Sequence, residues 1–230
     1  MPASRTVCPI KINVGYFRTR ILTWGHKNFR NFPWRNTGNA WHALVAEIVL
    51  QRTRADQVVP AYNWFISCYS TPEEFAAHPS KVFTNLGLPE RDQQFLSLNR
   101  ILADRDIPSD KTDLLKLPGI GEYISSAFLS LHMQKRALLI DSNVVRVYGR
   151  FFGFETDPET RRKKWFEDLT EAVTPKRAFK NYNYGIIDFS REICKLKPLH
   201  DICPIKRKCH LFLMATEAEV CNPRHHKGNG

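Results

Sequence analysis

Three cysteines and one histidine lie close together late in the 230-residue chain and have the side chains to bind a metal. They form the pattern C-x5-H-x2-C-x5-C at Cys194, His200, Cys203 and Cys209. Thiolate and imidazole groups in this proportion suit zinc, and an imidazole can also replace a thiolate on an iron–sulfur cluster. Clustering of this kind indicates a metal site in a reducing compartment, whereas a secreted chain would usually spread its cysteines as a disulfide framework. Cys221 is another possible ligand, and a loop held by packing without a metal is a third possibility.

A proline and two glycines fill the four-residue stretch PGIG at positions 118–121, just before an apolar run typical of a helix. A tight turn here leaves bare backbone N–H groups at the start of the next helix, where the helix dipole favours an anion. Gly119 and Gly121 have no Cβ to keep a phosphate at a distance. Because no side chain is required, such a site binds a phosphate backbone without reading the bases. An ordinary helix connection with a glycine cap is the alternative.

The excess of positive charge favours a polyanionic partner. The chain has 34 basic and 23 acidic residues, a formal net charge of +11. Solubility alone could explain this, but at this size the excess favours nucleic acid. The basic residues are dispersed, with local clusters at 161–164 and 206–208, which indicates a charged face more than a basic tail. No stretch is long and apolar enough to span a membrane, and the N-terminal segment lacks a compact apolar region and is a poor secretory signal, so we expect an intracellular protein, in the cytoplasm or nucleoid or in a nucleus. We also expect a monomer.

The elements that must position these residues are predicted to be almost entirely helical. In residues 41–53, for example, the apolar side chains recur at helical spacing. Helices are predicted over residues 12–31, 41–53, 57–69, 72–78, 79–86, 90–103, 110–116, 122–133, 142–152, 158–173 and 179–193. Strand-like runs such as residues 137–141 are too few to make a sheet. The sequence therefore predicts an all-α fold.

Four segments carry a further signal. They read FPWRNTGNAWHALVAEIVLQRT (32–53), LGLPERDQQFLSL (86–98), LPGIGEY (117–123) followed by IDSNVVRV (140–147), and DFSREIC (188–194). In this order they resemble the helix-hairpin-helix DNA glycosylases of the endonuclease III superfamily, over residues 20 to 212. The resemblance implies two helical lobes. A six-helix barrel with the hairpin would span residues 28–134, and residues 1–27 with 135–230 would form a second lobe with a C-terminal metal-binding loop.

The resemblance also implies two catalytic carboxylates, Asp141 and Glu47. A base glycosylase extrudes its target nucleotide and breaks the N-glycosidic bond through a cation-like sugar, so a carboxylate near C1′ stabilises the charge and can activate water. Asp141, 20 residues after Gly121, occupies the position of this carboxylate. The alternative is that it caps the helix that follows. Glu47 could protonate the leaving base or position water if it is buried, and a solvent-facing glutamate is the alternative.

Tyr123 occupies the position where strand-cleaving members of the family carry a lysine. The lysine amine attacks C1′ and forms a Schiff base, which a phenol cannot do. The resemblance therefore implies a monofunctional glycosylase that releases the base and leaves an abasic site. The target base would enter the cleft between the lobes, with Glu47 and Tyr123 on one side and Asp141 at the lobe boundary. A tyrosine that only packs is the alternative.

Six residues are predicted to contact double-stranded DNA. In the family, a residue shortly after the glutamate fills the gap left by the extruded base. Arg52 could fill this gap and hydrogen-bond to the guanine that has lost its partner. Gln51 is a second candidate for the same role. The alternative is that Arg52 lies on the surface and contacts a phosphate. The predicted DNA-binding residues are Leu117, Gly119, Gly121, Gln51, Arg52 and Arg146.

The metal loop departs from the family pattern, C-x6-C-x2-C-x5-C. His200 stands in place of the second cysteine, and the first gap is five residues. The resemblance implies a [4Fe–4S] cluster as the cofactor, with zinc or no metal as the alternatives. In each case we expect a structural role, because a rigid loop would present its basic residues to the DNA backbone.

Two branches of the family share the tyrosine, aspartate and glutamate. One removes thymine or uracil opposite guanine, and the other removes adenine opposite oxidised guanine, normally with an added C-terminal domain. The chain ends at residue 230, which leaves no room for such a domain, and QRTRA and DFSREIC are closer to the thymine branch. We therefore expect a mismatched thymine or uracil as the target. The alternatives are adenine opposite 8-oxoguanine, a modified-base or restriction-linked glycosylase, and a non-catalytic helix-hairpin-helix DNA-binding module.

Overall fold

A computed structural model describes residues 13–51 and 53–221 of the chain, with the side chains of 218–221 excepted. Every regular element in this part is a helix and none is a strand, which confirms the predicted all-α fold. No helix in the described ranges has the length and apolar character to cross a membrane.

The α-helices are α1 (Val14–Lys27), α2 (Ala40–Val49), α3 (Ala55–Cys68), α4 (Pro72–Ala77), α5 (Glu90–Ala103), α6 (Lys111–Leu114), α7 (Glu122–Ala127), α8 (Ser142–Phe152), α9 (Lys164–Val173), α10 (Phe179–Glu192) and α11 (His210–Cys221). Short 3-10 turns occupy Pro33–Asn36, Thr84–Leu86, Thr160–Arg162 and Lys206–Lys208. A π-helical turn, Phe128–His132, directly continues α7.

The helix predicted over 79–86 is wrong, and the reason is a contact from outside the segment. The carboxylate of Asp92 accepts hydrogen bonds from the backbone N–H groups of Phe83 and Thr84, at 2.8 and 3.0 Å, and so holds a turn there. The turn ends at Gly87, whose φ of 76° lies in the left-handed region that favours glycine. The sequence of the segment itself does not reveal an acceptor that lies on the following helix.

Helices α9 and α11 also differ from the prediction. The helix expected from residue 158 begins only at Lys164, because Asp157 and Thr160 bond to each other and form a separate turn. Helix α11 was not predicted, since its apolar residues do not gather on one face and give no amphipathic signal.

The chain divides into two compact units. Arg30–Leu139, here called the hairpin unit, contains α2 to α7. Met1–Phe29 with Ile140–Gly230, here called the loop unit, contains α1 and α8 to α11. The predicted boundaries, 28 and 134, lie two and five residues from the observed ones at 30 and 139. That the helices of the hairpin unit form a barrel stays a prediction.

The core of the hairpin unit is built around α2, which is buried on nearly all sides. Eight of its ten residues are buried, as expected for a helix that is apolar all round. The side chain of Asn39 caps its start by accepting from the N–H groups of Trp41 and His42, at 2.9 and 3.1 Å. The Trp41 indole donates to buried Asn99 at 2.8 Å, which satisfies both polar groups. This central position carries Glu47 into the protein interior.

The core of the loop unit joins α1, α8 and α10. Helices α1 and α10 approach closely, because a Cβ added to Gly25 would lie only 2.8 Å from the Cα of Gly185. Phe17 packs at 4.7 Å from Phe151, ring centroid to ring centroid. Helix α8 buries one face in this core and begins at the residue after Asp141.

Candidate active site

Glu47 lies in the interior of the hairpin unit and is only 3% exposed. Its Oε1 lies 2.8 Å from Nε2 of His132, and both side chains are 4% exposed. The alternative of a solvent-facing glutamate is therefore wrong. The sequence did not point to His132, because it lies 85 positions from its partner and a lone histidine at a helix end carries no pattern.

The glycine turn between α6 and α7 is anchored by buried apolar side chains. Leu117 and Ile120 are 3% and 4% exposed, and the N–H of Ile120 donates to the carbonyl of Leu117 at 3.1 Å. Gly119 is exposed and has a φ of 79°, a left-handed conformation that favours glycine. The predicted DNA-binding residue Leu117 thus supports the turn from the core, while the glycines face outward.

Gly121 is the N-cap residue of α7 and no side chain caps this helix. Its φ of −98° is ordinary, and an added Cβ would meet nothing within 4 Å. The first amides of a helix have no intrahelical acceptor, so an uncapped start is suited to bind an anion. Glu122 adds an opposing negative charge here, but Lys111 pairs with it at 2.7 Å.

Tyr123 is the second residue of α7 and is half-buried. It therefore lies two residues after Gly121, within the same short stretch of backbone as the glycine turn.

Asp141 caps helix α8 in the loop unit. Its Oδ1 accepts from the N–H of Val144 at 2.7 Å, and its Oδ2 accepts from Nδ2 of Asn143 at 2.8 Å. The carboxylate is half-buried, and its two oxygens together offer about four lone-pair sites. Asp141 therefore does cap helix α8, the alternative that the sequence left open. The two hydrogen bonds that it accepts leave its oxygens able to accept others.

Arg146 links Asp141, through Asn143, to Cys194, the first residue of the cysteine loop, residues 194–209. Its Nη1 donates to Oδ1 of Asn143 at 2.9 Å, and its Nε donates to the carbonyl of Cys194 at 3.1 Å. Burial lowers the pKa of the Arg146 guanidinium, while the charges of Cys194 and Asp141 oppose this. The donors of this predicted DNA-binding residue are thus directed to the protein. The sequence analysis did not predict a role for Asn143, although its position two residues after Asp141 could have suggested a contact between the two side chains.

Gln51, just after α2, is held by a residue of α5. Arg91 donates to the side-chain oxygen of Gln51 and, at 3.4 Å each, to the carbonyls of Gln51 and Ile48. Arg52, the other candidate to fill the gap in DNA, lies outside the described residues.

The three cysteines and His200 line one pocket of the loop unit, with a cavity volume of about 10 Å³. Burial raises the pKa of the Cys203 thiol to about 11 and also raises that of Cys209. Within the described residues, no three His, Cys, Asp or Glu side chains approach closely enough to hold one metal ion. The side chain of Cys221 is not described.

No model of a protein family matches the sequence. The structure is similar to that of a thermostable thymine-DNA glycosylase, with a TM-score of 0.81 and 31% identity, over 87% of this chain and 97% of that one. The helical fold and its glycine hairpin are accordingly those of the helix-hairpin-helix class.

Two relatives extend this likeness to sequence. A thymine/uracil-DNA glycosylase of Methanothermobacter thermautotrophicus is 31% identical over 205 residues, 85% of this chain and 93% of its own. An adenine DNA glycosylase of Buchnera aphidicola subsp. Schizaphis graminum is 30% identical over 84% of this chain and 58% of its own. The chain belongs to the helix-hairpin-helix DNA glycosylases of the endonuclease III superfamily, as the four sequence segments predicted.

Proposed function

We propose that this protein is a monofunctional glycosylase that removes thymine or uracil paired with guanine in double-stranded DNA and leaves an abasic site. The observation that carries the proposal is the 31% identity to a thymine/uracil-DNA glycosylase over 85% of the chain. The catalytic and DNA-binding roles of individual residues are part of the proposal.

Asp141 is the carboxylate that faces the sugar. As the base departs, positive charge develops at C1′, and a carboxylate held in place stabilises it without reorganisation. Two hydrogen bonds, from Val144 and Asn143, fix the carboxylate before the substrate arrives. Glu47 is the acid that protonates the leaving base, since the dry interior of the hairpin unit strengthens its interaction with that base.

The hairpin binds the DNA backbone through the amides at the start of α7. Nothing in this contact depends on base identity, so it supplies affinity rather than mismatch selection. Gln51, held by Arg91, and Arg52 beside it fill the space of the extruded base and bond to the orphaned guanine.

Tyr123 supports a reaction without a Schiff base, because a phenol at this position has no amine to condense with C1′. The protein should therefore release the base by hydrolysis and leave the strand intact.

The protein is expected to be a monomer inside the cell.

The pocket of Cys194, His200, Cys203 and Cys209 binds a [4Fe–4S] cluster. When bound, the cluster supplies cross-links that hold the loop. Metal analysis and the visible absorption of purified protein test this. Iron and sulfide in about equal amounts support a cluster, whereas stoichiometric zinc or metal-free protein would contradict it.

Labelled duplexes with G:T, G:U and adenine opposite 8-oxoguanine test the reaction. Strand breaks that form only after alkali on the G:T and G:U duplexes support the proposal. Breaks without alkali would contradict the monofunctional reaction. Release of adenine alone would favour the second candidate, adenine removal, which the Buchnera relative supports. Binding without any release would indicate a DNA-binding module.

A further inference from the structure

The contact between Glu47 and His132 joins two buried polar groups in the core of the hairpin unit. Ala46 and Val49 beside Glu47 on α2 are 0% and 2% exposed. A buried carboxyl group without a hydrogen-bond partner is strongly destabilising. The need for stability would therefore be enough to explain a histidine 2.8 Å from Glu47. The question is whether this bond also serves the chemistry.

The bond leaves the two oxygens of Glu47 in different situations. Oε1 is taken by Nε2 of His132, while no described residue hydrogen-bonds to Oε2. One oxygen is therefore fixed to the protein and the other is left for a ligand. An acid held this way has one defined orientation rather than a choice of rotamers.

His132 is itself held by an unusual piece of backbone. It ends the π-helical turn that begins at Phe128, where the N–H of Met133 donates to the carbonyl of Phe128 at 3.1 Å. The buried Phe128 ring lies 6.4 Å from the His132 ring, centroid to centroid. A π turn costs regular helix hydrogen bonding and is frequent at functional sites, because it re-aims the side chains that follow it. Here the side chain at its end is the one that contacts Glu47.

We propose that His132 is a positioning residue for Glu47 in base release, an inference that rests on the proposed function. Neutral His132 donates Nε2–H to Oε1, and the proton of the acid sits on Oε2. The electron pair of the C1′–N bond leaves with the base, and the Oε2 proton passes to that base. Water adds to C1′ and gives one proton to solvent, from which Glu47 is reprotonated.

The histidine bond strengthens during this step. Before it, Nε2–H donates to a neutral carboxylic acid, and after it to a carboxylate, which makes a shorter and stronger charge-assisted bond. An interaction that grows as charge develops lowers the barrier, whereas one that is constant does not. His132 should therefore affect the rate of excision more than the affinity for DNA.

Single-turnover excision and duplex affinity are measured with a G:U duplex for wild type, His132→Ala and His132→Gln. We expect His132→Ala to slow excision about 100-fold with duplex affinity nearly unchanged. Glutamine can still donate an N–H to Oε1, so His132→Gln should regain most of the rate. His42→Ala is the matched control, because His42 lies on α2 and bonds through Nε2 to the carbonyl of Tyr69 at 2.8 Å. It should lower stability but not the excision rate.

A double-mutant cycle separates positioning from packing. Once Glu47→Gln has removed the acid, His132→Ala should cost little further rate, because both changes act through one group. Equal reductions in both backgrounds, or a wild-type rate for His132→Ala, would overturn the inference. If His132→Ala does not fold, His132→Gln is compared with His132→Asn, whose amide is one methylene too short. Equal rates for these two variants would also overturn it.

Nitrogen NMR of the His132 ring in the free protein reports the bond without any substrate. A protonated Nε2 that shifts on Glu47→Ala supports the assignment, and a protonated Nδ1 with bare Nε2 would overturn it. If the NMR result is as expected but wild type releases no base from any duplex, the proposed function fails and the positioning role fails with it.

Discussion

At the scale of single residues, Asp141 has an observed role as a helix cap and a proposed role as the catalytic carboxylate, and one substitution can separate the two. Asparagine caps a helix about as well as aspartate does, but it carries no charge to stabilise a cationic sugar. Asp141→Asn should therefore keep its thermal midpoint and its duplex affinity while losing excision activity by about 100-fold or more. Single-turnover rates and thermal unfolding check this.

The control for that prediction is Asp141→Ala. Removal of the hydrogen bond to Val144 should lower the free energy of unfolding by about 1 kcal/mol. An Asp141→Asn protein with near wild-type excision would mean that the aspartate is only a cap.

The proposed position of Tyr123 can be tested by placing an amine at residue 123. If residue 123 faces C1′ of the bound nucleotide, Tyr123→Lys should attack that carbon and form an imine. We expect strand breaks without alkali and a covalent complex after borohydride reduction. Tyr123→Phe should give neither, and absence of trapping with Tyr123→Lys would place residue 123 away from the sugar.

At the scale of elements, the two glycines of the hairpin differ in backbone conformation, so we expect their substitutions to have different effects. Gly119 needs its left-handed φ of 79°, so Gly119→Ala should destabilise the fold by about 1 kcal/mol or more. Gly121 has ordinary φ and open space around its Cα, so Gly121→Ala should fold normally. Its methyl would instead meet the phosphate, and we expect weaker binding to all duplexes alike.

Fluorescence anisotropy with matched and mismatched duplexes, together with thermal unfolding, distinguishes the two glycines. A Gly121→Ala protein that binds as wild type does would mean that the phosphate does not approach this amide.

The elements also show where sequence is informative and where it is not. Helix α2 could be predicted because its apolar run is local, and the turn at PGIG because proline and glycine act on their own backbone. The turn at Phe83 could not, since the acceptor is Asp92, nor could the partner of Glu47, which lies 85 positions away. Likewise, the hydrogen bonds of Arg146 to Asn143 and to the carbonyl of Cys194 depend on where α8 meets the cysteine loop, which the sequence does not reveal, and its contact with DNA stays a prediction.

At the scale of the whole molecule, the net charge of +11 does not say which basic residues reach DNA. In the cluster at 161–164, three side chains have acidic partners: Arg162 bonds to Glu159, Lys163 to Asp157, and Lys164 to Glu167 and Asp168. In the cluster at 206–208, Lys208 lies over the ring of Tyr16 and Lys206 over Phe212. No described acidic side chain forms an ion pair with Lys206, Arg207 or Lys208. The two clusters are alike in sequence but differ in net local charge.

Two triple variants with the same reduction in charge exploit this difference. Replacing Lys206, Arg207 and Lys208 by glutamine should weaken duplex binding and flatten its salt dependence, because each phosphate that the protein no longer neutralises changes the slope of log K against log salt by about 0.9. The same replacement of Arg162, Lys163 and Lys164 removes charge that is already neutralised locally, and should change the slope little. Affinities measured over a range of salt concentrations compare the two. Equal slopes for both variants would mean that DNA binding follows total charge, and that the cysteine loop does not approach the DNA backbone.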